Sequence, residues 1–221
     1  MIFFYPKGVE LLRKLIAEGL GTLLLVCVVV GSGIMAESLA DGNVAVALLG
    51  NTIATGAILY VLITIFGDVS GAHFNPAVSF IFWLRGDLSR GLLLGFIVAQ
   101  CLGGVAGTFF AHFMFEQDLL QFGQHARTGN AKWVAEVVAS FGLMLTILGG
   151  LRYRPDAVPA LVGFYITAGY WFTSSTSFAN PAVTIARSLS DSFAGIRPQD
   201  VAGFIIAQII GMCLAYVLSK A

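Results

Sequence analysis

The chain has 221 residues, of which 57% are hydrophobic and only 11% are charged, whereas a typical soluble domain has about 25% charged residues. This composition predicts a membrane protein. Its 12 basic residues balance its 12 acidic residues, which excludes the basic surface of a nucleic-acid-binding protein. Three cysteines, all in apolar runs, do not form the paired spacing of a disulfide framework or a metal site, and nothing in the sequence implies a cofactor.

The first half of the chain, residues 1–115, contains three long apolar segments. They cover residues 15–35, 44–66 and 92–115, and each is near the roughly 20 residues that cross a bilayer as a helix. A shorter apolar segment, residues 75–84, lies between the second and third. At about 1.5 Å per residue it would cover only half of the hydrocarbon core, so we predict a re-entrant half-helix.

A polar loop, residues 116–130, joins this half to a second half, residues 131–221, in which the pattern recurs. The long apolar segments are now residues 133–151, 158–172 and 201–218, and the short segment is residues 180–189. The predicted fold is therefore an all-α membrane protein with six transmembrane helices and two re-entrant half-helices.

Sequence landmarks support a true internal repeat. The run from Gly95 to Gln100 matches the run from Gly203 to Gln208, and an Ala-Glu pair opens each half, ending at Glu18 and at Glu136. Because each half has an odd number of crossings, the two halves must lie inverted in the membrane.

The distribution of basic residues predicts the orientation. Eight lie on the side of the chain termini, and four lie on the opposite side (Arg127, Lys132, Arg187 and Arg197). The excess of Lys and Arg marks the cytoplasmic side, so both termini are expected in the cytoplasm.

Each short segment begins with Asn-Pro-Ala. Asn is a preferred N-cap, and Pro is favoured at the first helical position, so both motifs predict helix starts. The half-helix starts are Asn75, Pro76, Ala77, Asn180, Pro181 and Ala182. Irregular backbone at membrane depth is tolerated where it lines a cavity, and a matched pair of such breaks in two halves points to a binding or conduction site.

Inversion brings the two N-caps, Asn75 and Asn180, together near the midplane. The positive ends of the two helix dipoles would repel cations, while the Asn amides would be free to donate hydrogen bonds to a passing solute. The lead-in segments would expose backbone to the pore at Gly71, Ala72, His73, Phe178 and Ala179. Such a pore suits small neutral molecules that carry hydroxyl groups, and it disfavours ions.

These motifs and the span pattern resemble the aquaporin or major intrinsic protein family over nearly the whole chain. The segment from Ser70 to Val78, the second Asn-Pro-Ala, and the paired Glu18 and Glu136 carry the resemblance. It implies a passive channel with one pore per subunit and a homotetramer in the bilayer, here in a bacterial inner membrane.

One departure from the family pattern concerns the outer filter. Most members place Arg directly after the second Asn-Pro-Ala, where this chain has Val183. The resemblance places the other filter positions near Thr55, Ala168 and Ser177, and small side chains there predict a wide constriction. Polyols, urea-like molecules and metalloid hydroxides such as arsenous acid are then candidate solutes besides water, and the region after Ser177 resembles members associated with arsenic resistance.

Four polar residues leave alternatives open. Arg187 could replace the missing filter Arg from the vestibule, or it could form a salt bridge with Asp191 four residues on. Glu18 and Glu136 could support the re-entrant backbone or relay protons. His73 could sense pH or stay a neutral pore-lining group.

Other functions are weaker interpretations of the same pattern. Inverted repeats with broken helices also build secondary transporters, but few ionisable groups are placed to couple an ion. A water-selective channel and a closed structural protein are further alternatives. An enzyme is not expected, because no nucleophile, acid and base cluster in one polar pocket.

Overall fold

The computed structural model describes residues 7–220, which fold almost entirely into helices. The outermost ends of the predicted repeats, residues 1–6 and 221, lie outside the described residues. The α-helices are α1 (Lys7–Leu39), α2 (Val44–Ser70), α3 (Pro76–Arg85), α4 (Arg90–Met114), α5 (Asn130–Tyr153), α6 (Val158–Phe172), α7 (Pro181–Arg187) and α8 (Val201–Ser219).

Five of these helices are long and apolar enough to cross a membrane, namely α1, α2, α4, α5 and α8. The remaining predicted span, residues 158–172, is α6, which has 15 residues. A single 3-10 turn, Pro155–Ala157, leads into it. At about 1.5 Å per residue, α6 alone is roughly 22 Å long, the shortest of the six predicted crossings.

The two half-helices differ in length. Helix α3 has 10 residues, close to the predicted segment. Helix α7 has only 7, so the prediction that it reaches residue 189 was wrong at its C-terminal end. The chain tightens there because Leu189 N donates to Ala186 O at 3.1 Å and Ser190 N donates to Arg187 O at 3.3 Å, which is the shorter 3-10 pattern.

Glycines bring the long helices into backbone contact, in the same way in both halves. Helix α1 packs on α4, and α5 packs on α8. A Cβ added to Gly107 of α4 would lie 2.3 Å from Leu23 O of α1, and one added to Gly211 of α8 would lie 2.3 Å from Val137 O of α5. Close approach through small residues is the usual basis of helix packing in membranes, where apolar burial gives no net drive.

The half-helices fill the space between these pairs. Helix α3 contacts α4 and α8, and α7 contacts α1, α4 and α8. The two half-helices also contact each other, and they meet through their N-terminal residues. They therefore enter from opposite sides of the molecule, which is the arrangement that an inverted repeat requires.

Candidate functional site: a pore between the two half-helices

The first residue of each Asn-Pro-Ala motif caps its half-helix. Asn75 Oδ1 accepts hydrogen bonds from Ala77 N at 3.0 Å and Val78 N at 3.4 Å. Asn180 Oδ1 accepts from Ala182 N at 3.0 Å and Val183 N at 3.3 Å. Each proline follows at the first helical position, where its missing N–H breaks no bond. Local capping chemistry thus starts both half-helices, and Pro76, Ala77, Pro181 and Ala182 are buried.

The same two amides also tie the motifs together. Asn75 Nδ2 donates to Ala179 O at 2.7 Å, and Asn180 Nδ2 donates to Phe74 O at 2.8 Å. The expectation that both amides are free is therefore wrong for one N–H of each, because the residue before each motif offers its carbonyl to the opposite amide. An amide carries two N–H donors, so one per side is left beside the cavity that both residues line.

The lead-in segments are held by two buried carboxylates. Glu18 accepts from His73 N at 2.9 Å and from Phe74 N at 2.6 Å. Glu136 accepts from Phe178 N at 2.9 Å and from Ala179 N at 2.9 Å. Of the two alternatives for these acids, the contacts are those of backbone support. Four N–H groups that would otherwise be unpaired in a buried loop are satisfied by carboxyl oxygens.

Two glutamines, for which no role was predicted from the sequence, complete these networks. Gln100 Nε2 donates to Glu18 Oε2 at 2.8 Å and to Ser79 Oγ at 3.0 Å. Gln208 Nε2 donates to Glu136 Oε2 at 2.7 Å and to Thr184 Oγ1 at 2.9 Å. The internal repeat could have indicated this role, because each glutamine is the last residue of a run that matches between the two halves.

A continuous cavity of about 480 Å³ passes both N-caps. The predicted backbone positions Gly71, Ala72, His73, Phe178 and Ala179 all line it. His73 Nδ1 lies 3.0 Å from Ser79 Oγ, and its ring packs 4.5 Å from the ring of Phe82, centroid to centroid. His73 therefore lines the cavity, and its ring contacts the Ser79 hydroxyl and the Phe82 ring.

Three of the four predicted filter residues line this cavity, and the fourth does not. Thr55, Ser177 and Val183 line the cavity. Ala168 is exposed on the outside of α6, and Tyr170 lines the cavity instead. Residues two apart on a helix point to nearly opposite sides, so a shift of two positions exchanges a small lipid-side residue for a large pore-side one. A tyrosine thus lines the cavity where the sequence predicted the small Ala168.

Polar side chains come together in this part of the cavity. The Tyr170 hydroxyl lies 3.2 Å from Thr55 Oγ1 and joins α6 to α2. The Arg187 side chain lines the same cavity as Tyr170 and Thr55. Ser177 Oγ is buried and has no hydrogen-bond partner among residues 7–220. A buried hydroxyl without a partner carries an uncompensated desolvation cost.

Arg187 belongs to this cavity and not to a surface ion pair. Its side chain is 2% exposed and lines the cavity. Its Nε donates to Ala194 O, and its Cζ lies 3.4 Å from the centroid of the Phe178 ring. The predicted alternative, a salt bridge to Asp191, is not formed, because the Asp191 carboxylate accepts from Gln124 N at 3.0 Å.

A pore lined by two facing Asn-Pro-Ala caps can be compared with known proteins. The family model described as "Major intrinsic protein" matches residues 6–177, which is most of the chain. The chain belongs to the major intrinsic protein family. Membership makes it a membrane channel for small uncharged solutes and not an enzyme.

Individual relatives agree with this assignment. The chain is 56% identical over 211 residues to aquaglyceroporin AqpS of Rhizobium meliloti (strain 1021), covering 96% of this chain and 90% of that protein. It is 31% identical over 194 residues to probable aquaporin TIP1-1 of Oryza sativa subsp. japonica, covering 80% and 75% of the two chains.

The fold has a solved counterpart in the aquaglyceroporin from Plasmodium falciparum. The TM-score is 0.73 at 20% sequence identity, with 95% of this chain and 94% of that chain covered. At this identity the likeness establishes the fold alone. It confirms the predicted architecture of transmembrane helices and two half-helices.

Proposed function

We propose that this channel conducts glycerol-like polyols and neutral metalloid hydroxides such as arsenous acid, as well as water. The observation that carries the proposal is the two-sided constriction. The polar residues Thr55, Tyr170, Ser177 and Arg187 line the same cavity as the apolar residue Val183. A polyol has a hydroxyl edge and a hydrocarbon edge, and it matches both sides.

A solute that enters the pore must lose part of its hydration. A hydroxyl that enters an apolar site without a hydrogen-bond partner is costly, and the constriction offers donors and acceptors in a row. The hydrocarbon edge gains from contact with Val183. Arg187 donates to solute oxygens and repels cations from the position one helical turn beyond Val183, which is the role that most family members give to the Arg after the motif. The 56% identity to a protein named an aquaglyceroporin supports the same solute class.

At the midplane, the proposal assigns the remaining amide N–H of Asn75 and of Asn180 to the passing solute. The cross-bonds to Phe74 O and Ala179 O hold these donors in place. The dipoles of α3 and α7 oppose cations there. A neutral solute that carries oxygen thus exchanges its hydrogen bonds at the outer constriction for hydrogen bonds at the midplane.

Stopped-flow light scattering of proteoliposomes tests the solute class. We expect fast glycerol permeation after a glycerol gradient, and arsenite uptake into the same vesicles. Val183→Arg should lower the glycerol rate at least about tenfold, because the new guanidinium fills the constriction. It also lies one helical turn from the Arg187 guanidinium and repels it. The exposed Val44 provides a matched control, since Val44→Arg adds the same side chain away from the pore.

Two results would contradict the proposal. Vesicles that shrink in a sucrose gradient but show no glycerol or arsenite flux would indicate a water-selective channel. The large side chain of Tyr170 favours that alternative. Solute flux that saturates and requires an ion gradient would make it a secondary transporter. Arg187→Ala, in protein that still assembles, should change solute flux or admit a cation leak.

Orientation and assembly complete the proposal: a homotetramer in a bacterial inner membrane, with both termini in the cytoplasm. The count of basic residues supports the orientation. A single cysteine introduced at exposed Asp118, in a variant lacking the three native cysteines, should react with a membrane-impermeant maleimide from outside, whereas one at Asp87 should not. Light scattering of the purified protein should give four chains per particle.

A further inference from the structure

The lead-in segments of the two half-helices share one backbone conformation but not one sequence. Three residues in each segment have positive φ, and they occur at matching positions. These are Gly71 (φ 93°), Ala72 (φ 50°) and Phe74 (φ 49°) in the first half, and Thr176 (φ 64°), Ser177 (φ 52°) and Ala179 (φ 48°) in the second. The first position is glycine in one half and threonine in the other. Positive φ is unfavourable for a β-branched residue, so the second segment carries strain that the first avoids.

Other supports are shared by the two halves, although the Ser70 hydroxyl donates to Glu18 and the Ser175 hydroxyl donates to Thr173. Ser70 Oγ accepts from Ala72 N at 3.1 Å, and Ser175 Oγ accepts from Ser177 N at 3.2 Å. Glu18 and Glu136 hold the following residues in the same way. Two basic side chains also bind the second segment. Lys132 donates to Ser174 O, and a buried arginine, Arg127, comes from the loop that joins the halves.

Arg127 holds the strained turn directly. Its Nη1 donates to Ser175 O at 3.2 Å and to Thr176 Oγ1 at 3.3 Å. The second of these bonds uses the threonine hydroxyl, which glycine lacks. The contact therefore falls on the residue that differs between the two halves.

The other nitrogens of Arg127 reach the segment that follows α7. Nε donates to Gly195 O at 2.8 Å, and Nη2 donates to Phe193 O at 3.5 Å. The Arg127 backbone N–H donates to Asp200 Oδ2 at 2.7 Å, which fixes the loop itself. One planar side chain, 5% exposed, thus connects the segment before α7 with the segment after it.

This connection bears on the constriction through Phe178. The Cζ of Arg127 lies 4.8 Å from the centroid of the Phe178 ring, and the Cζ of Arg187 lies 3.4 Å from the same centroid. Arg187 also donates to Ala194 O, next to the carbonyls that Arg127 holds. Both supports of Arg187, the ring and the carbonyl, are therefore positioned by Arg127.

We propose that Arg127 is a positioning residue that sets the solute selectivity of the outer constriction. It holds in place the strained turn at Thr176 and the two groups that contact Arg187, namely the Phe178 ring and the Ala194 carbonyl. The proposal rests on the proposed function, in which Ser177 and Arg187 form that constriction. Arg127 does not line the cavity. It acts through the backbone of residues 175–178 and 193–195.

The test compares permeation of glycerol with permeation of a five-carbon polyol, xylitol, in proteoliposomes. Arg127→Gln should reduce the preference for glycerol over xylitol by about tenfold, the scale of one lost hydrogen bond to a charged group. Arg127→Lys should behave similarly, because one ammonium cannot reach four acceptors that a planar fork reaches at once. Arg90→Gln, at an exposed position of α4, is the matched control and should leave the preference unchanged.

A second variant separates positioning from general destabilisation. Adding Thr176→Gly to Arg127→Gln removes the strain that Arg127 opposes, and it should restore a large part of the preference. The proposal is overturned if Arg127→Lys retains the wild-type preference, because charge alone then suffices, or if Thr176→Gly gives no recovery. Wild-type protein that passes no glycerol would instead refute the proposed function, so the two failures are distinguishable.

Discussion

Replacing Glu136 by Gln tests whether the buried carboxylates hold the pore backbone. In the native protein Oε1 accepts from Phe178 N, and Oε2 accepts from Ala179 N and Gln208 Nε2. A glutamine oxygen in the Oε2 position can keep two of these bonds. Its NH2 group then faces the N–H of Phe178, which is left without an acceptor in a fully buried site.

The expected cost follows from that one lost contact. A hydrogen bond to a charged group contributes about 1.5–3 kcal/mol, and a buried donor without a partner costs about 1–3 kcal/mol. We take about 2 kcal/mol as the net loss of unfolding free energy. For a protein of this size, 1 kcal/mol lowers the Tm by about 2–4 °C, so a drop of about 4–8 °C is expected.

Thermal unfolding in detergent micelles, followed by intrinsic fluorescence, measures this change. Glu116→Gln removes the same charge at an exposed loop position and should leave the Tm within about 1 °C. Glycerol permeation through Glu136→Gln protein should also fall, because Phe178 and Ala179 line the pore. A Glu136→Gln protein that melts like Glu116→Gln would refute the assignment of Glu136 as backbone support.

Three further predictions follow from individual contacts. Tyr170→Phe removes the hydroxyl that contacts Thr55 Oγ1, and it should speed permeation of a four-carbon polyol relative to glycerol in the stopped-flow assay; an unchanged ratio would contradict a constriction at Tyr170. Gly107→Ala places a Cβ 2.3 Å from a backbone oxygen of α1 and should abolish monodisperse protein in size-exclusion chromatography, whereas Gly149→Ala, which meets nothing within 4 Å, should be neutral or slightly stabilising. Asn180→Asp keeps the cap but puts a negative charge at the midplane, so proteoliposomes should show a cation leak by a fluorescent dye assay; a tight vesicle would argue against charge exclusion there.

The sequence by itself determined the features that depend on short-range chemistry. Asn followed by Pro starts a helix through contacts within three residues, and both starts lie at Pro76 and Pro181 as predicted. The long apolar runs and their repetition in two halves likewise indicated the membrane fold and the family. Matched Glu residues in the two halves indicated the carboxylates that hold the re-entrant backbone.

Only the tertiary structure decided which side chains meet at the constriction. The rotation of α6 about its axis is set by its packing, and it brings Tyr170 rather than Ala168 to the cavity. The cross-bonds of Asn75 and Asn180 join residues more than 100 positions apart, and Arg127 reaches residues 48 to 68 positions away. No local pattern encodes such contacts, because they depend on how two halves and a long loop fit together in three dimensions.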